Sequence, residues 1–493
     1  MPAGTNQFGG GGDEVADAGI KADARVQAVA GVLADAARKA ARLSLSVKSR
    51  IFFLYSTNLR NCILIFASME KEILQILAEE IVPAEGCTEP IALAYAAALV
   101  SDALKCKGRP QMDVYLSGNM IKNVKSVHIP GAEGRVGIET AVAMGALLGC
   151  SARKLMVIAD VDKRRLGEVY EYAESGLIRV HFQKDCPKLY IRIEAEDVLV
   201  EITDFHTHVN RYSRAGVSLL SESDASCSES VKKEELTDRS FLTIDGICRT
   251  ADTIALEKIE SLFNKVIELN TEIAREGLRG DYGISIGKTI REGIDEGIYG
   301  ADLKNMLSSF AAAGSDARMN GCPLPVMTTS GSGNQGMTCS LPIIEFCRMK
   351  GLPHEKLIRG LFVSHLITIH IKEVIGRLSA YCGAMAASAG VSGALTYLDG
   401  GDAKQIKMAV ETTLATVSGV ICDGAKSSCA TKIATGISAA VDAFVAARKG
   451  RRLCYGEGIV GCDIEKTIDH VGTLGSDGMR LTDDVILDIM LHE

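Results

Sequence analysis

The sequence predicts an α+β protein in which a smaller α/β domain precedes a larger all-α domain. Two observations carry this reading. Between residues 111 and 210, short β-branched runs alternate with helix-like stretches, whereas strand-like runs nearly vanish after about residue 250. The chain is also 47% hydrophobic with only 5% aromatics and no Trp, so its core must be built from Ala, Val, Ile, Leu and Gly. Such a core suits closely packed helices. At 493 residues the chain is long enough for two or three well-cored domains.

Residues 1–70 read as an N-terminal extension outside the globular pattern. Gly9 to Gly12 lead into acidic residues, as in disordered sequence, and Ala22 to Arg42 is Ala-rich and helix-prone. Basic residues outnumber acidic ones from Lys21 to Arg50, which leaves organelle targeting open beside the expected cytoplasmic location. Residues 71–225 are the first folded domain. Ile73, Ile76 and Leu77 recur at helical spacing and lead to Val82-Pro83, where the helix should end. Pro90 suits the first position of the next helix, so Cys87 and Thr88 fall just ahead of an N-terminus whose free N–H groups favour anions. Asp113 to Leu116, Ser126 to Ile129 and Leu155 to Ile158 predict strands, and Gly137 to Leu148 a small-residue helix. Leu189 to Ile193 and Val198 to Thr203 predict a strand pair. Ser, Glu and Lys dominate Ser221 to Thr237, and residues 226–250 are expected to be a linker. Residues 251–493 form the all-α domain. Its longest uncharged run, Leu378 to Leu398, is interrupted by Gly383, Gly390 and Gly393 and reads as a buried helix pair rather than a membrane span.

These totals exclude some classes of function. Lys and Arg number 54 against 62 Asp and Glu, a formal charge of −8 without a basic stripe, so no nucleic-acid partner is expected. Fifteen scattered cysteines and no signal-peptide pattern argue for reduced thiols rather than a secreted disulfide framework.

Three of the thiols stand out. Cys382, Cys422 and Cys429 lie in small-residue, nearly uncharged sequence that reads as helical. They are either packed thiols or ligands for a soft metal centre. On one straight helix, Cys422 and Cys429 would be about 10.5 Å apart along the axis, so ligation calls for a break at Gly424. Ser330 to Gly336 is a Gly-rich loop whose N–H groups suit a carboxylate or phosphate, with Ser330, Ser332, Asn334 and Gln335 as candidate binders. Arg318 offers a bidentate guanidinium, with a surface ion pair as its ordinary alternative. Asn119, Lys122 and Asn123 occupy a polar turn between strands and are either pocket or loop residues. His206 and His208 are expected at the surface, and His365 and His370 in the core or at its boundary.

In combination, Glu85-Gly86-Cys87-Thr88-Glu89-Pro90, Ser330 to Gly336, Arg377 to Cys382 and Ile421 to Cys429 resemble the L-cysteine desulfidase family, itself related to the iron–sulfur L-serine dehydratases. The resemblance runs from about Glu70 to the C-terminus. It implies a 4Fe–4S cluster in the all-α domain, held by Cys382, Cys422 and Cys429, with one iron free for substrate. The dehydratases place about forty residues between the first two ligands, as here, but Cys429 follows Cys422 more closely than their pattern has it. Their catalytic His has no counterpart at Gly86-Cys87-Thr88, so Cys87 becomes an acid or base tuned by the helix end, or a fourth ligand that leaves when substrate arrives. Thr88 would hold the substrate carboxylate. The implied activity is β-elimination of L-cysteine to sulfide, pyruvate and ammonia. The alternatives are L-serine dehydration and a non-catalytic cluster or zinc protein that senses redox state. The expected partner is a small amino acid, without nucleic acid or membrane, and a homo-oligomer is left open.

Overall fold

The computed structural model describes residues 69–105, 108–220 and 237–492. Residues 1–68 of the extension expected over 1–70 lie outside the described residues, as does 226–236 of the expected linker, whereas residues 69 and 70 begin a helix. Residues 72–493 form one compact unit, which contains two hydrophobic cores.

The first core belongs to a mixed α/β layer. Strand β1 (Pro83–Glu85) leads into α1 (Thr88–Leu104), a helix buried along almost its whole length. Its first turn carries Glu89, favourable at the positive end of the helix dipole, and Pro90, whose missing N–H would have had no partner there. Pro90 is the third helical residue rather than the first. There follow β2 (Met112–Leu116), α2 (Gly118–Val124), α3 (Ile138–Leu148), α4 (Leu166–Glu174), β3 (Ile178–Phe182), β4 (Tyr190–Ala195), β5 (Val198–Thr203), β6 (Val209–Arg214) and β7 (Val217–Ser218). The sheet order is β3-β2-β4-β5-β6-β7; β2 and β3 run parallel and the other pairs antiparallel. Alternation sets the buried face: Ile191 and Ile193 of β4 pack with Val198, Val200 and Ile202 of β5 against α1.

The second core is helical. It is built from α5 (Ile244–Thr253), α6 (Glu260–Arg279), α7 (Ile286–Asp295), α8 (Leu303–Met319), strand β8 (Pro325–Met327), α9 (Gly333–Lys350), α10 (His354–Ile375), α11 (Gly383–Leu398), α12 (Ala403–Val417), α13 (Cys429–Arg448), α14 (Ile464–Thr473) and α15 (Arg480–His492). Helix α13 is long and apolar enough to cross a membrane by length and composition, yet α8, α11 and α12 all pack against it within the bundle.

The two cores exchange elements. Ile73, Ile76 and Leu77 of the first described helix pack into the helical core, whereas Leu487 of the last helix packs into the α/β core. Strand β1 pairs antiparallel with β8, with Ala84 opposite Val326. This pairing positions the site, because it sets Cys87 beside the Ser330 loop.

Several sequence expectations are corrected. Leu155 to Ile158 lies in a 3₁₀ turn, and Ser126 to Ile129 contributes only an isolated bridge between His128 and Val136. Both are apolar runs too short for periodicity to separate a strand from a buried turn. Asn119, Lys122 and Asn123 sit on a short helix capped by Ser117, not in a turn between strands. Residues 244–250 belong to α5 rather than to a linker. The run from Leu378 to Leu398 holds one helix, preceded by an extended loop.

Candidate active site

The cysteine-bearing segments meet at helix N-termini, not inside helices as the composition suggests. Cys382 is the N-cap of α11, and Cys429 is the first residue of α13. Cys422 lies in the loop between α12 and α13. A β-bridge between Tyr381 and Ile421 joins the first two loops. Around it, the Cys382 N–H donates to the Val420 carbonyl at 3.2 Å and the Cys422 N–H to the Ala380 carbonyl at 2.6 Å.

These three thiols line one cavity of about 100 Å³, and Cys87, Thr88, Asn119, Asn123, Arg318, Ser330, Ser332, Asn334 and Gln335 line it too. Every residue expected at the site is thus brought together except Lys122. That lysine, 2% exposed, is instead paired with Asp483 of α15 at 2.5 Å. Glu89, His206, Lys372, Arg377, Ser379 and Tyr381 also line the cavity, and the sequence did not mark them as site residues.

Cys87 enters through a tight turn at Gly86. Gly86 has φ +55°, and a Cβ there would come within 2.0 Å of the Pro130 ring, so only Gly fits. The Cys87 thiol donates to Glu89 Oε2 at 3.0 Å, and Asn123 Nδ2 donates to Glu89 Oε1 at 3.4 Å. Burial, with the Glu89 carboxylate beside it, pushes the Cys87 thiol well above the ordinary range, against the expectation that the helix end tunes it. Burial works against the charge on Glu89 as well, but the His206 imidazole and the Cys87 thiol outweigh it and hold its pKa at about 2. Thr88 Oγ1 reaches the Gly331 carbonyl at 2.9 Å and Glu89 Oε2 at 3.1 Å, so it faces acceptors on two sides. His206, expected at the surface, is only 6% exposed, and its Nε2 stands 3.8 Å from Glu89 Oε1. That is ion-pair distance but too long for a hydrogen bond, and Nε2 has no hydrogen-bond partner.

On the opposite wall, Ser330 and Gly331 adopt positive φ, and Thr329 and Ser332 exchange backbone hydrogen bonds around them. Ser332 then caps α9 by accepting from the Gln335 N–H. Arg318 is 2% exposed; its Nη1 donates to Asn334 Oδ1 at 3.1 Å, while its Nε has no partner. A Cβ on Gly333 would lie 2.4 Å from that Nε, so glycine lets the guanidinium lie against the start of α9. Asn119 Oδ1 and Gln335 Oε1 are also buried without partners.

The donor set fits an anionic iron–sulfur centre. Cys382 and Cys429 are driven upward first by burial and then by neighbouring thiols, the response of protonated thiols packed where thiolates need a positive neighbour. Arg318 and Lys372 supply positive charge, and neither has a carboxylate within ion-pair distance among the described residues. Burial lowers Lys372 to about 8, partly countered by Cys422 and Cys382. No group of three His, Cys, Asp or Glu is close enough to surround a single metal ion among the described residues. Thiolates of a four-iron cluster bind different irons and stand further apart than ligands of one ion.

A helical bundle meets an α/β layer at a cavity lined by thiols and buried cations, and the chain's relatives are of the iron–sulfur, serine-dehydratase-like class of lyases. Residues 190–488 match the family model described as serine dehydratase alpha chain, and the chain belongs to that family. It is 52% identical over 424 residues to a UPF0597 protein of Fusobacterium nucleatum, covering 85% of this chain and 98% of the relative. It is 43% identical over 428 residues to a UPF0597 protein of Lachnoclostridium phytofermentans, covering 86% and 100% of the two chains. A UPF0597 protein of Desulfitobacterium hafniense is 41% identical over 424 residues, covering 85% and 96%. The family match begins at β4 and contains Cys382, Cys422 and Cys429, whereas Cys87, Asn119 and Asn123 precede it.

Proposed function

We propose that this chain is an L-cysteine desulfidase, converting L-cysteine by β-elimination to sulfide and an enamine that hydrolyses to pyruvate and ammonia. The observation that carries the reading is the pairing of three cavity thiols with a buried, uncompensated Arg318. Cys382, Cys422 and Cys429 would hold a 4Fe–4S cluster, which when bound supplies a Lewis-acidic iron for the substrate's sulfur or carboxylate.

The protein's own residues bind and orient. Arg318 and the free N–H groups at the start of α9 would donate to the α-carboxylate, which supplies the anion the guanidinium lacks. Glu89 on the facing wall suits the α-ammonium group, so the cavity presents opposite charges to the two ends of an amino acid. Asn119 Oδ1 and Gln335 Oε1 offer unused acceptors to its N–H donors. Cys87 lines the same cavity and is the group assigned to proton handling, or to the fourth cluster position before substrate binds. L-serine dehydration is the second reading, because the two substrates differ only in the leaving group. The absence of a His at the Cys87 position favours the thiol substrate. Anaerobic assay of sulfide release from L-cysteine, beside pyruvate release from L-serine, tests the choice.

A further inference from the structure

Lys122 lies outside the cavity, yet it is buried and held to an element that no cavity residue belongs to. Asp483, near the start of α15, uses both carboxylate oxygens. Oδ1 meets Lys122 Nζ at 2.5 Å, and Oδ2 accepts the Ala380 N–H at 3.1 Å. Lys122 Nζ also donates to the Cys422 carbonyl at 3.3 Å. Ala380 in turn accepts the Cys422 N–H. The result is a closed ring, from the Ala380 N–H through Asp483 and Lys122 to the Cys422 carbonyl and back through the Cys422 N–H. It includes one of the two backbone hydrogen bonds of the bridge that joins the Cys382 and Cys422 loops.

Each link has a physical reason to persist. A lysine 2% exposed has no water to replace a lost carboxylate, so removing Asp483 leaves an uncompensated buried charge. Asp483 is itself only 11% exposed in its side chain. Ser379 Oγ donating to the Gly475 carbonyl at 2.5 Å and Lys432 Nζ donating to the Ile421 carbonyl at 3.0 Å hold the same two loops elsewhere, but among the described residues only the Asp483–Lys122 pair ties both loops to α15.

We propose that Asp483 and Lys122 are positioning residues that set the spacing of Cys382 and Cys422, making the C-terminal helix a structural part of the cysteine site. The proposal rests on the reading of those cysteines as cluster ligands for its meaning, but its geometry can be tested without a cluster. The full chain is purified anaerobically as the unaltered protein, Asp483→Asn and Asp483→Glu, and iron content and visible absorbance are measured. Each is then stripped with a chelator, and alkylation of individual cysteines by iodoacetamide is followed by mass spectrometry. Asp483→Asn should alkylate Cys382 about tenfold faster, as expected when a local opening is eased. Cys347, buried in the distant part of α9, should keep its rate, and Asp483→Glu should restore much of the protection. Iron retention should fall in the same order. General destabilisation would instead speed Cys347 equally, and an unchanged Cys382 rate in Asp483→Asn would also overturn the proposal. If the unaltered protein binds no iron, the cluster reading fails while the alkylation rates still decide the positioning role.

Discussion

His206 and Glu89 face one another at 3.8 Å across the cavity wall, one from the loop after β5 and the other from the first turn of α1. Both are buried, and Glu89 also gathers the Cys87 thiol and the Asn123 amide. The charge on Glu89 therefore depends on a histidine far away in sequence. His206→Ala should lower kcat/KM for L-cysteine by roughly tenfold or more, because it leaves the buried Glu89 carboxylate without its neighbouring imidazole. Steady-state kinetics with iron content measured alongside checks it, and iron should stay bound. A variant with unchanged kinetics would show that the pair only packs.

Arg318 gives a second prediction. Arg318→Met should raise KM for L-cysteine by about ten- to a hundredfold, because a bidentate carboxylate contact is lost. Gly333→Ala should act in the same direction, since its methyl group would displace the guanidinium. Kinetics with L-cysteine and its decarboxylated analogue separate the cases: the analogue should be insensitive to both changes.

The thiols make a third. Cys382→Ala, Cys422→Ala and Cys429→Ala should each lose most of the iron, because two thiolates hold a cluster poorly. Cys87→Ala should keep iron and lose turnover. Iron analysis and visible absorbance on anaerobically purified variants check this. Equal iron loss in all four would make Cys87 a permanent ligand.

Asp316 offers a prediction about stability. Burial raises its pKa from 3.8 to about 6, although backbone N–H groups at Gly287 and Ile286 hold it down in part. The folded state therefore binds this proton more tightly than the unfolded state. Its contribution to stability is present below about pH 4 and is lost as pH rises through about 6. Asp316→Asn removes this dependence and keeps an acceptor for the Gly287 N–H. Relative to the unaltered protein, it should gain stability between pH 4 and pH 7, by at most about 3 kcal/mol. Thermal unfolding of both proteins across that range checks it, and parallel curves would contradict it.

The order of α/β layer and helical bundle is legible because short apolar, β-branched runs such as β4 and β5 fall before residue 210 and the later helices carry small apolar residues throughout. Cys382, Cys422, Cys429 and the Ser330 loop were found because they sit in distinctive local sequence. His206 was not, since its role arises from the β5 loop reaching α1, a contact without local signature. Lys122 was misplaced for the same reason: its partner Asp483 lies on the last helix. Glu89 stands inside the Cys87-Thr88-Glu89-Pro90 motif, and its place in the first turn beside Cys87 is the available signal. Helix ends rather than interiors hold the cysteines, because Gly383 and Gly424 favour starts and turns that composition alone reads as continuous helix.

The central claim is tested most directly by sulfide release from L-cysteine under anaerobic conditions, measured against iron per chain. The protein should be brown, with sulfide release that rises in proportion to its iron and exceeds its turnover of L-serine. Full sulfide release from a colourless, iron-free protein would contradict it, as would a brown protein inert towards both amino acids.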